Sequence, residues 1–201
     1  MRYRRRTLPH WQPENAAIFL TWRLHGSLPA PEPEWEHLPA GKRFVAEDQA
    51  LDRLATGPRY LKNPAVADVV ASAVRYGADH LHLYDLHAWV VMSNHVHMLI
   101  DPQLDLSRIT RSVKSYSARH ANEVLGRTGE PFWAIESFDR WVRDLKEFEN
   151  IIRYIEFNPV KAGLVANPED WHWSSAGQEA CVTRSTEAGT EAKGMEHTYE
   201  R

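Results

Sequence analysis

Residues 88–100 run Ala-Trp-Val-Val-Met-Ser-Asn-His-Val-His-Met-Leu-Ile, two apolar, β-branched stretches separated by Ser93-Asn94. Such a pair of runs around a polar turn reads as two antiparallel strands in the middle of a sheet. Two histidines interrupt the second run. Side chains two apart along a strand share a face, so His95 and His97 point the same way while Val96, Met98 and Ile100 line the opposite, packed face. Their imidazoles can then converge on one ion. The plainer alternative is an edge strand that shows polar residues to solvent.

Around this pair the chain alternates strand and helix signals. Residues 16–25 read as a first strand, ended by Gly26-Ser27-Leu28-Pro29, and residues 29–39 carry four prolines and read as an irregular excursion. Helical spacing follows in two pieces. One contains Phe44, Leu51 and Leu54; the other contains Val66, Val69, Val70, Ala73 and Val74, with Gly57-Pro58 between them. After the two central strands, Leu106, Ile109, Val113 and Tyr116 mark a helix over 105–125 that turns its basic side chains away from the core. Residues 138–142 make a short strand. Asp144 is placed to cap a last helix with Leu145, Phe148, Ile151, Ile152 and Ile155 on its apolar side, stopped at Asn158-Pro159. This order predicts an α+β fold, an antiparallel sheet with helices packed on it, and leaves the face carrying His95 and His97 uncovered.

Length and composition narrow the class. At 201 residues with 43% hydrophobic and 25% charged residues, one globular domain is expected over 1–177, followed by a disordered acidic tail over 178–201. No apolar stretch approaches the roughly 20 residues of a membrane helix, and the arginines at the start are not followed by the apolar segment of a secretory signal. The single cysteine, Cys181, excludes an intrachain disulfide and a cysteine zinc cluster, which suits a cytoplasmic protein. A net charge of −3 gives nucleic-acid binding no support, but its distribution does. Arg2, Arg4, Arg5 and Arg6 form a basic arm, and Arg108, Arg111, Lys114 and Arg119 lie along the 105–125 helix, both candidates for contact with a nucleic-acid backbone. Trp11 and Trp133 are candidates for base stacking. A solvated face accounts equally well for the basic clusters, and a place in the core is the more usual one for a tryptophan.

Tyr154 and Asn158 are four apart on the last helix and can present to the same side. Two imidazoles and one amide oxygen make an open three-ligand site for a divalent ion, and a phenol beside it is a candidate nucleophile. An amphipathic tyrosine and a helix-stopping asparagine explain the same residues without chemistry. Tyr116, with His120 four residues on, is a weaker rival nucleophile. A metallohydrolase of the HxHxDH type is excluded, because Leu99 and Ile100 stand where its Asp and His are required.

Residues 88–97 together with Arg153-Tyr154-Ile155-Glu156-Phe157-Asn158-Pro159-Val160-Lys161-Ala162-Gly163-Leu164-Val165 resemble the REP-associated tyrosine transposases, a branch of the single-tyrosine HUH (His-hydrophobic-His) transposases. Leu8-Pro9-His10-Trp11, Phe132-Trp133, Ser137-Phe138-Asp139-Arg140, Val142-Arg143-Asp144 and Trp171-His172-Trp173-Ser174 fit the same pattern, so the resemblance spans roughly residues 1–176. It implies a ferredoxin- or RRM-like HUH fold with His95, His97 and Asn158 as ligands of Mg²⁺ or Mn²⁺ and Tyr154 as nucleophile. The implied reaction is cleavage and transfer of single-stranded DNA at hairpin elements through a 5′-phosphotyrosine link. A monomer acting at the nucleoid is implied, with a dimer as the alternative. A hairpin-binding module with slow or lost cleavage is the rival reading. The negative net charge departs from the basic balance of a DNA enzyme and bears on affinity more than on chemistry, while the joint presence of His95, His97, Tyr154 and Asn158 argues against lost catalysis.

Overall fold

The computed structural model describes residues 16–28, 37–53 and 57–176. The arm with Arg2, Arg4, Arg5 and Arg6, Trp11 and the tail beyond 176 lie outside them.

β1 (Ile18–Leu24) is followed by α1 (Ala40–Arg53), a short 3₁₀ turn (Tyr60–Lys62) and α2 (Pro64–Asp79). Then come β2 (Tyr84–Val91), β3 (His95–Pro102), α3 (Leu106–Val124), β4 (Trp133–Trp141), α4 (Leu145–Glu156) and the single turn α5 (Asn158–Lys161). The strands form one antiparallel sheet in the order β2-β3-β1-β4. The α+β class and the antiparallel sheet with packed helices are as expected. Local signals set the boundaries: Asn63 caps α2 by accepting from the Ala65 amide, with Pro64 at its first position, and Asp144 caps α4 by accepting from the Glu147 amide.

Alternation sorts the sheet into two cores. Ile18, Leu20, Trp22 and Leu24 of β1, with Val96, Met98 and Ile100 of β3, face α2 and α3. Phe19, Leu99 and, beyond an irregularity in the β2–β3 register at His87, Ala88, Val90 and Met92 face the other way, toward Ile155 of α4. That irregularity shifts the period by one residue, which is why Leu86 packs in one core and Ala88 in the other. Gly77 of α2 is required by close approach: a Cβ there would lie 2.5 Å from the Tyr84 hydroxyl oxygen, which donates to Val74 O. The outer edge of β2 is closed by the Trp171-His172-Trp173-Ser174 stretch, where Val91 N donates to Trp173 O and Ser175 N to Trp89 O.

Five local expectations are corrected. The face carrying His95 and His97 is not uncovered: both histidines are 0% exposed, beneath α1 and α4. Tyr116 leaves the buried stripe of α3, at 54% exposure, and Ser117 takes its place, accepting from the Trp133 indole N–H. Leu145 is likewise exposed, and β4 begins at Trp133 rather than at 138. The Asn158-Pro159 step ends α4 but not the helical path, because Phe157 stays in the right-handed region and Pro159 falls in the first turn of α5, where its missing N–H costs nothing.

Candidate active site

His95 and His97 project side by side from β3, ring centroids 4.7 Å apart. Each ring is held from behind at Nδ1. Thr21 Oγ1 on β1 lies 2.7 Å from His97 Nδ1, and Asn94 Oδ1 lies 2.7 Å from His95 Nδ1. The Asn94 amide nitrogen donates to Leu51 O on α1, so its oxygen is the end that accepts from His95 Nδ1–H. Both Nε2 atoms therefore turn inward. Burial, then the neighbouring His97, pushes His95 down to about 3, so its imidazole is neutral with a free lone pair on Nε2.

What they turn toward was not foreseen from the sequence. Asp48 of α1 places Oδ1 3.1 Å from His97 Nε2 and 3.6 Å from His95 Nε2, while its Oδ2 accepts from the Tyr154 hydroxyl of α4. Burial alone would raise the Asp48 carboxyl, but His97 and then His95 outweigh it and hold it well below the usual carboxylate range. Burial first, and then the Asp48 carboxylate, pushes the Tyr154 phenol well above its ordinary value, with the Asn158 amide acting in the opposite direction. Lys161 Nζ sits 4.5 Å from the centroid of the Tyr154 ring.

Apart from the histidine–carboxylate approaches just given, four buried atoms in this region have no well-aligned hydrogen-bond partner: His95 Nε2, His97 Nε2, Asp48 Oδ1 and Asn158 Oδ1. Orphaned polar atoms at 0–5% exposure are costly in a folded protein. Two imidazole nitrogens and a carboxylate oxygen within 4.8 Å of one another, with an amide oxygen in the same region, form a donor set suited to a divalent cation. The residues present thus fit a metal. Asp48 itself gave no sequence signal. Glu47-Asp48-Gln49 reads as an ordinary solvated helix face, and only its position opposite β3 sets Asp48 apart.

The basic candidates divide. Arg108, Arg111 and Arg119 are exposed on α3, Arg119 pairing with Glu123. Lys114 is half-buried and donates to Ala134 O at 2.8 Å, tying α3 to β4. Between these elements runs a groove of about 820 Å³, lined by Ser107, Thr110, Arg111, Lys114 and the 132–139 stretch. Trp133 is a core residue, edge-on to Trp22, and offers no stacking platform. Tyr116 lies against His120 with the rings tilted, and the metal-ligating group found in the described residues is the Asp48, His95, His97 cluster. Among those residues no helix is long and apolar enough to cross a membrane.

Comparison with known proteins bears on the family and the fold. A REP-associated tyrosine transposase of Escherichia coli (strain K12) is 30% identical over 95 residues, 46% of this chain, and the chain spans about half (54%) of the length of that relative. A solved structure, that of the REP-associated tyrosine transposase bound to a REP hairpin, superposes with a TM-score of 0.53 at 19% identity, covering 87% of this chain and 82% of the other, which establishes likeness of fold. The family described as "Transposase IS200 like" matches residues 59–158, about half of the chain, a stretch that includes His95, His97, Tyr154 and Asn158 but not Asp48. On the matching stretch, the shared fold and the recognisable relative, the chain belongs to the IS200-like transposase family.

Proposed function

We propose that the chain cuts single-stranded DNA at the foot of hairpin elements and rejoins it elsewhere, with Tyr154 as nucleophile. The observation that carries this reading is the meeting of the Tyr154 hydroxyl, the Asp48 carboxylate and the two histidine Nε2 atoms, drawn from three distant parts of the sequence. A divalent ion, Mg²⁺ or Mn²⁺, would be held by His95, His97 and Asp48, with Asn158 Oδ1 as a further oxygen. Bound there, such an ion offsets the negative charge of a phosphodiester.

The chain's own groups supply the rest. Tyr154 is neutral as it stands, its proton already directed at Asp48 Oδ2. In the cleavage step the Tyr154 oxygen bonds to phosphorus and its proton passes to Asp48. The bond from phosphorus to the 3′ oxygen breaks, and that oxygen takes the proton from Asp48 and leaves as a 3′-OH. The strand remains joined to Tyr154 through its 5′ phosphate, so the energy of the bond is retained and no nucleotide is consumed. Rejoining is the reverse attack by a 3′-OH. Lys161, beside the Tyr154 ring, adds positive charge where the phosphate must approach.

In this reading the hairpin is gripped through its backbone by Arg108 and Arg111 on α3, with Arg119 and Lys114 along the same helix and Arg2, Arg4, Arg5 and Arg6 as a second contact. Residues 1–177 act as one unit, as a monomer, on nucleoid DNA. The name of the E. coli relative and the hairpin held by the solved relative support DNA hairpins as substrate.

The test is a denaturing gel of labelled hairpin oligonucleotides, taken from inverted repeats beside the gene, incubated with Mn²⁺ and the full chain. A covalent adduct is expected with the native chain and none with Tyr154→Phe. An adduct that survives Tyr154→Phe refutes the nucleophile, and binding with no adduct from the native chain makes the protein a hairpin-binding module.

A further inference from the structure

Next to Tyr154, on the side away from the metal-ligating cluster, lies a cavity of about 550 Å³ that the cleavage chemistry does not use. Its floor is aromatic. Phe44 of α1 lies face to face with Phe138 of β4, centroids 4.3 Å apart and planes 24° apart, and Phe19 of β1 meets Phe44 edge-on at 5.3 Å. Its rim is polar and of mixed charge, with Arg140, Arg143 and Lys146 against Asp144 and Glu147, and Asn150 beside them. Glu147 pairs with both guanidiniums and fixes them at the mouth, while Lys146 and Asn150 stand exposed on α4.

Both helices connect this cavity to the reacting groups by one turn. Phe44 and Asp48 are four apart on α1, and Asn150 and Tyr154 are four apart on α4, so each pair lies on one helix face about 6 Å apart along the axis.

We propose that this cavity is a base pocket, taking one unpaired nucleobase of the DNA strand whose phosphate reaches Tyr154. The proposal rests on the reading of Tyr154 as a DNA-cleaving nucleophile and deepens it. A flat π-face suits the aromatic floor, and the polar edge of a base meets the Asn150 amide, which offers both a donor and an acceptor. The three rim cations exceed the two rim carboxylates by one charge, which suits the phosphates on either side. A free phosphate would not need the phenyl rings, and an aliphatic ligand would not need the cations. A base stacked within a duplex cannot enter, so the occupant belongs to a single strand or has left its stack. The volume falls in the usual range for a small-ligand site.

The experiment uses the full chain in EDTA, where strand binding is separated from cutting. A single-stranded oligothymidylate carrying one 5-iodouracil is irradiated in complex and the crosslinked peptide identified. Attachment at Phe44 or Phe138 is expected; attachment only on α3 overturns the pocket. In parallel, an abasic site is walked along a hairpin's single-stranded foot while affinity is measured by fluorescence anisotropy. One position should lose about tenfold with the native chain, and Asn150→Ala, a solvent-facing change that leaves folding intact, should shrink that loss while Lys62→Ala does not. An even response along the strand, or the same loss in Asn150→Ala, also overturns the pocket. Crosslinking in the pocket with no adduct in Mn²⁺ would uphold the pocket and remove the cleavage reading; an adduct without pocket crosslinks would do the reverse.

Discussion

Asn94 joins two things that must happen together, the orientation of His95 and the seating of α1, and its substitutions should separate them. Its oxygen accepts from His95 Nδ1–H at 2.7 Å and its nitrogen donates to Leu51 O at 2.9 Å, with 2% of the residue exposed. Asn94→Ala leaves both partners buried and unmet. At about 1–3 kcal/mol for each unsatisfied group, with partial relaxation, the loss of stability is about 3 kcal/mol. For a chain of this size that lowers the melting midpoint by roughly 6–12 °C. With nothing holding its Nδ1, His95 loses its fixed tautomer and ring orientation, and Mn²⁺ affinity should fall by about 10–100-fold. Asn94→Asp keeps an acceptor for His95 but turns an oxygen toward Leu51 O. It should lose stability yet keep, or tighten, Mn²⁺ binding. Urea denaturation in EDTA gives the first quantity and titration calorimetry with Mn²⁺ the second. Gln103→Ala, which removes an exposed bond to Asp85, is the control and should change stability by less than about 0.5 kcal/mol. Equal Mn²⁺ affinities for the Ala and Asp variants, or an Ala variant as stable as the native chain, would refute the two-ended role of Asn94.

Asp48→Asn keeps the shape of the side chain but removes the anionic ligand, so Mn²⁺ affinity by calorimetry should drop by roughly tenfold or more, and an unchanged affinity would remove Asp48 from the donor set. Tyr116→Phe should form the covalent DNA adduct at the native rate on a denaturing gel, because that ring is exposed and packs against His120 at a tilt. Gly77→Ala should cost about 1–3 kcal/mol in urea denaturation, since the new methyl meets the Tyr84 hydroxyl; a neutral effect would show that the helix shifts freely. Asp52, one turn beyond Asp48, has its carboxyl pushed up to about 6 by burial and then by Asp48. Its folded-state value exceeds the unfolded one, so the folded chain gains stability as pH falls through 6 and lacks that gain above it. Asp52→Asn should therefore stabilise the chain at pH 7.5 in EDTA, by about 1 kcal/mol after allowing for its partial exposure, and leave it unchanged at pH 4. The same gain at both pH values would exclude ionisation as the cause.

Most elements were legible because their signals are local. The β2–β3 hairpin follows from two apolar runs around Ser93-Asn94, and α4 from its Asp144 cap and the Phe148, Ile151, Ile152, Ile155 spacing. Tyr116 misled because Leu106, Ile109 and Val113 set a stripe whose next member can fall at 116 or 117. Packing chose Ser117, whose hydroxyl accepts the Trp133 indole N–H. Trp133 could be read as a stacking platform or, as is more usual for a tryptophan, as core; it packs edge-on against Trp22, a partner that no spacing reveals.

The sequence alone determined that His95 and His97 share a face and that Tyr154 and Asn158 lie a turn apart, since two-residue and four-residue periods are properties of a strand and a helix. It also determined the family pattern that those residues carry. Only the tertiary structure decided that the histidine face lies beneath α1 and α4, that Asp48 stands against both imidazoles, and that its second oxygen meets the Tyr154 hydroxyl. The physical reason is range. Side-chain direction along one element is set by backbone geometry within a few residues, whereas the meeting of α1, β3 and α4 is set by how the whole apolar surface is buried, and that leaves no mark at position 48.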